Sequence, residues 1–143
     1  VNNDVLLTHD HNRGLILTHN AAGDNLPVVL QLKSEEDAII ANEVIGSIEF
    51  AAGDSDGTDG ATVAAGIHAI AEGTFSASAN ATKLVFTTGV SETAASSATA
   101  KMTLSSAGNL TVAGTVTADP TAILLIKNSS GSTLKTINGI AAN

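Results

Sequence analysis

Three phrases decide how this chain folds: Ile45-Gly46-Ser47-Ile48-Glu49-Phe50, Ala65-Gly66-Ile67-His68-Ala69-Ile70-Ala71-Glu72 and Lys83-Leu84-Val85-Phe86-Thr87-Thr88-Gly89. Each alternates apolar residues with small or polar ones, the two-residue period of a strand with one face buried. A fourth phrase, Lys101-Met102-Thr103-Leu104, is followed by Gly108-Asn109-Leu110-Thr111-Val112 and closes the set. Residues 82–88 and 100–106 are alike enough to read as paired strands of one unit. Asp, Ser, Thr, Gly and Ala fill the connections. Many short alternating runs separated by turn residues predict an all-β fold.

Outward from this frame, Leu6-Leu7-Thr8-His9 is echoed by Ile16-Leu17-Thr18-His19 across Asn12-Arg13-Gly14. That predicts two short strands joined by a polar turn. Residues 21–25 read as a loop, and Val28-Val29-Leu30-Gln31-Leu32 as a short buried strand. Ser34-Glu35-Glu36-Asp37 either caps a short helix over Ala38-Ile39-Ile40-Ala41 or forms a charged turn into the next strand. Residues 53–60, 76–82 and 91–99 are connections by composition, and 113–118 continue the alternation as far as Asp119-Pro120. Beyond Pro120, Ala122-Ile123-Leu124-Leu125-Ile126-Lys127 and Thr133-Leu134-Lys135-Thr136-Ile137 flank Asn128-Ser129-Ser130-Gly131-Ser132, a hairpin pattern. Three regions result: an N-terminal strand region over 1–33, a central β module over 34–118 and a C-terminal hairpin over 119–143.

Composition sets how such strands can be stabilised. Hydrophobic residues reach 43 % of the 143, yet aromatics are 2 %, three Phe with no Trp or Tyr. Large aromatics normally supply much of a core's buried area, and Ala inflates the apolar count here. A lone chain of this kind is poorly stabilised, and sharing a narrow core of Val, Ile and Leu among several chains resolves that. Stacking within one chain, as a β-solenoid, is the alternative. The net charge of -8, with six Lys and Arg, argues against a nucleic-acid surface. The absence of Cys excludes disulfides and thiolate metal sites. No apolar run approaches the roughly 20 residues that span a bilayer, so no membrane insertion is expected.

Few residues suggest chemistry. His9-Asp10-His11 is the sharpest candidate. In a strand, residues two apart face the same side. If three chains met on an axis there, His9 and His11 would bring six imidazoles around a transition metal. The plainer reading is a polar turn between the two leucine-rich strands. Asp54-Ser55-Asp56-Gly57-Thr58-Asp59 clusters carboxylates as calcium loops do, but lacks the EF-hand's glycine and glutamate positions and reads as a solvated turn. His68 and Glu72 share strand parity, and such a pair can perform acid–base chemistry. No nucleophile or oxyanion donor accompanies them, so a surface or inter-chain hydrogen-bonded His68 is expected instead. Glu49, Glu72 and Glu92 are the carboxylates available for glycoside hydrolysis, without the aromatic platforms of a sugar cleft. No catalytic residue is expected.

In order, the phrases Gly46-Ser47-Ile48-Glu49-Phe50, a loop with Asp54 and Asp56, Gly66-Ile67-His68-Ala69-Ile70, Leu84-Val85-Phe86-Thr87-Thr88 and Gly108-Asn109-Leu110-Thr111-Val112 span about half the chain. In that order they resemble the fibre and tail-fibre-like proteins of tailed bacteriophages. Where such proteins often carry a Glu-Arg-Met-Arg phrase, this chain has Ala100-Lys101-Met102-Thr103. The His-x-His of His9 and His11 is similar to metal-binding fibre tips. The resemblance implies an elongated, intertwined homotrimeric fibre or spike on the virion, at the tail or the capsid surface. The partners it implies are further copies of the chain, other virion proteins, and a host cell-surface glycan or protein. A secreted β-solenoid adhesin or filament subunit is the alternative, and a polysaccharide depolymerase spike a more distant one.

Overall fold

A computed structural model describes residues 5–20, 25, 27–51, 62–90, 93–117, 123–128 and 130–138. The described residues form an all-β structure of nine strands in three separate sheets, without a helix. By backbone contacts the chain divides into two compact units, Val1–Glu35 and Glu36–Asn143.

In the first unit, β1 (Val5–Asp10) and β2 (Gly14–His19) pair antiparallel, from Val5 opposite His19 to Asp10 opposite Gly14. The turn is His11-Asn12-Arg13, closed by the Arg13 N–H donating to the Asp10 carbonyl at 3.1 Å. Asn12 (φ 67°) and Gly14 (φ 113°) hold the left-handed angles the turn requires, residue types that tolerate them well. Residues 27–32 do not form the expected buried strand. Val29 is 66 % and Leu30 71 % exposed, and β1 and β2 are paired only with each other. Strand propensity expresses itself on a ladder, and no described strand offers this segment one.

In the second unit, β3 (Val44–Ala51), β4 (Val63–Ala71), β5 (Thr82–Thr88), β6 (Met102–Leu104) and β7 (Leu110–Val112) form an antiparallel sheet. Spatial order follows chain order, so each strand pairs with its sequence neighbour. The resemblance between 82–88 and 100–106 is realised as the β5–β6 pairing, with Phe86 opposite Met102. The helix expected as one reading of 34–41 does not form: residues 34–40 run irregularly with a bend at Asp37, and the turn into β3 falls at Ala41-Asn42. The Ile40 N–H donates to Glu43 Oε2 at 2.7 Å, and Asn42 takes φ 73°. Neighbouring backbone groups pair with the end of β4 and beyond: Asn42 N–H to Ala71 C=O at 2.8 Å, Ala71 N–H to Glu43 C=O at 2.9 Å, and Phe75 N–H to Ile39 C=O at 2.9 Å. Those pairings take the groups that a helix would have used within itself.

The alternation after Val112 is not used as strand. Ala113 donates a last 2.9 Å bond to the Lys101 carbonyl, and 113–117 are exposed. Further on, β8 (Ile123–Lys127) pairs antiparallel with β9 (Thr133–Asn138). Asn128 organises the turn between them, its Oδ1 accepting from Ser130 N at 3.1 Å and Ser132 N at 2.9 Å. Gly131 supplies φ 81°. Pro120 and the 53–60 loop lie outside the described residues. No helix among the described residues is long and apolar enough to cross a membrane.

Candidate functional site

The register of the five-stranded sheet brings one polar cluster together. Ser47 on β3 stands opposite His68 on β4, and Thr87 on β5 stands opposite Gly66. Ser47, Gly66, His68, Val85 and Thr87 therefore share a face. The His68 ring leans over Gly66, where an added Cβ would lie 2.4 Å from Nε2 and 2.6 Å from Cε1. Glycine is needed there for space. Nδ1 of His68 is 2.8 Å from Ser47 Oγ, and Nε2 is 3.0 Å from Thr87 Oγ1. The Thr87 hydroxyl in turn donates to the Ala94 carbonyl.

These contacts fix the protons. A threonine hydroxyl has one hydrogen to give, and Ala94 receives it. Thr87 must therefore accept from His68, which places a proton on Nε2. In the neutral ring, Nδ1 is then an acceptor and the Ser47 hydroxyl donates to it. Donation runs one way, from Ser47 to His68 to Thr87 to Ala94. His68 is 0 % and Thr87 1 % exposed, so each of these bonds replaces water that the groups have lost. Ala94, itself fully buried, closes over the cluster and donates its N–H to the Val63 carbonyl at 2.7 Å.

A serine hydroxyl bonded to an imidazole is also the start of a nucleophilic site, but such a site needs an open nucleophile beside oxyanion donors. Here the ring is sealed and the chain of donors ends on a backbone carbonyl. The arrangement ties three strands and the 93–100 segment together. His68 is thus a buried intrachain residue, not the surface or inter-chain group expected from sequence. Glu72 lies just past the end of β4 and is engaged elsewhere: its Oε2 accepts the Ser106 N–H at 3.0 Å. The Ser106 hydroxyl and N–H, with Lys83 assisting, hold the Glu72 carboxyl below its ordinary value.

His9 lies on β1 opposite Leu15, whereas His11 is in the turn, so the two are not on one strand. No group of three or more metal-ligating side chains occurs among the described residues. Glu49 is exposed on β3. Asp54, Asp56, Asp59 and Glu92 lie outside the described residues.

The opposite face of the sheet is a different surface. Ile48, Ile67, Phe86, Met102 and Val112 stand opposite one another in turn, one row across all five strands. Ala69, Leu84, Leu104 and Leu110 make a parallel row. Ile48 is 45 %, Phe50 56 % and Leu110 63 % exposed. The only charged residues in these strands, Glu49 and Lys83, fall on the His68 face by their register with Gly66 and Ile70. Sequence reasoning found the strands but missed both the cluster and this row. The available signal was a glycine two residues before a histidine on one strand, beside a serine and a threonine on neighbouring strands.

No family model matches the chain, and no curated protein matches it.

Gly66→Ala is expected to destabilise the fold by about 1–3 kcal/mol through overpacking against the His68 ring. Thr87→Val should cost about 1–3 kcal/mol by leaving the Nε2 proton and the Ala94 carbonyl unpaired. Urea denaturation measures both. The Gly66→Ala penalty should shrink in a His68→Ala background, and an unchanged penalty would refute the close approach.

The lowered Glu72 value has a sign that can be tested. Its contribution to stability is present above the unfolded carboxyl pKa and is lost as pH falls through the folded one. Glu72→Gln should therefore lower stability at neutral pH and flatten its decline in acid. Urea midpoints across that range check this, and parallel profiles for the two proteins would contradict it.

Proposed function

We propose that this protein is a structural virion subunit of a tailed bacteriophage, one chain of a homotrimeric fibre or spike on the tail or capsid. Its task is host attachment or surface decoration, and it is not an enzyme. The observation that carries the reading is the apolar row across the sheet, exposed at Ile48 and Val112 and half-buried at Ile67, Phe86 and Met102, over which the described residues lay no further element. Soluble chains seldom leave a continuous apolar face of this kind without a partner for it. The order of the strand phrases adds the phage-fibre resemblance, and the scarcity of aromatics adds the need for a shared core.

Function in such a protein is geometric. Apolar faces are buried between chains, while Ser-, Thr- and Asn-rich connections remain in water and meet other virion proteins or a host glycan or protein. Weak single contacts gain strength from repetition, since linked copies bind at high effective concentration. His9 on β1 and His11 in the turn do not share a strand, so they would hold a transition metal only where three chains brought them to a common axis.

Light scattering on the purified native protein tests the assembly. A mass of three 14.2 kDa chains is expected. A stable monomer would overturn the reading, and an open concentration-dependent polymer would favour a filament or adhesin subunit. For the metal, zinc or nickel titration should show one ion per three chains and none in His9→Ala. Equal uptake by both proteins would remove these histidines from any site.

A further inference from the structure

We infer that the face bearing Ile48, Ile67, Phe86, Met102 and Val112 is the surface on which copies of this chain meet, turned inward around a common axis. The inference rests on the structural-subunit reading and assigns the shared core of that reading to this one face of the sheet. The sheet has two faces, and the chain itself covers the centre of one of them. Ala94 closes over the His68 side through the Thr87 bond, so that His68, Val85 and Thr87 are buried there.

Charge selects the occupant of the other face. The chain carries a net charge of -8, so identical copies repel wherever acidic groups approach. The five strands place no charged side chain on this face, because Glu49 and Lys83 both fall on the His68 side. It is the part of the sheet where two copies can come together without burying or opposing charges. An acidic or basic partner would find no counter-charge on it. Relief suits self-packing as well. On β4, Ile67 stands between Ala65 and Ala69, and β3 sets Gly46 and Phe50 on either side of Ile48. On β4 a large side chain is thus flanked by two small ones, leaving relief on this face against which another sheet can pack.

The chain has no cysteine, so single thiols report the surface cleanly. Ile48→Cys on β3 and Leu110→Cys on β7 place a thiol on the apolar face, and Val116→Cys, 70 % exposed, lies outside the sheet. The assembled full chain is treated with Ellman's reagent, with mass and circular dichroism recorded for each variant. Thiols at 48 and 110 should react at least about tenfold more slowly than at 116, since access governs thiol reaction, and equally fast in denaturant. A folded variant that loses assembly at 48 or 110, but not at 116, supports the same interface. Fast reaction at 48 and 110 in an intact assembly would overturn this inference and leave the structural reading standing. A wild-type monomer would overturn both.

Discussion

The second unit depends on the placement of one imidazole. His68 has no exposure, and a buried imidazole with either nitrogen unpaired would cost more than most single interactions contribute. The fold meets that requirement with Ser47 on one neighbouring strand, Thr87 on the other, and the Ala94 carbonyl beyond. Gly66 supplies the space. No buried side-chain nitrogen or oxygen is left unpaired among the described residues. The register follows from this. A one-residue slip of β4 would turn His68 to the apolar side and take Ser47 and Thr87 out of reach.

A sheet fixed in this way has two unlike faces, and the difference accounts for the composition. The inner face needs little aromatic surface because a hydrogen-bonded cluster and the closely packed Val85, Ile70 and Ala94 fill it. The outer face keeps two of the chain's three phenylalanines, Phe50 and Phe86, together with its single methionine. In a monomer that distribution would be wasteful, with large apolar groups outside and small or polar ones inside. For a subunit whose core is completed by other copies it is economical.

Much of the strand layout was legible in the sequence, because alternation survives wherever a sheet has one covered face. The phrases at Ile45, Ala65, Lys83, Met102 and Leu110 all lie in β3 to β7. The failures are instructive. Val28 to Leu32 has the right residues for a strand but no ladder to join, and alternation after Val112 outlasts the sheet. Propensity cannot announce where partners run out. The His68 cluster was illegible for another reason. It depends on register between residues 19 to 26 positions apart, and a histidine among apolar residues reads equally well as a surface group. The candidate metal histidines were legible only as a spacing, and the turn at His11 separates them.

In the proposed assembly, β3 to β7 pack inward on the His68 side and outward on other copies. Met102, the only methionine, stands on β6 within the outer row, between Phe86 and Val112, and offers a single methyl reporter. Isotope-filtered nuclear Overhauser spectra on an assembly mixed from methyl-labelled and unlabelled chains would read its neighbours directly. Contacts are expected from the Met102 methyl to Ile, Leu or Phe side chains of another copy, with none from His68 or Val85. Contacts confined to its own chain, or intermolecular contacts arising on the His68 side, would contradict it.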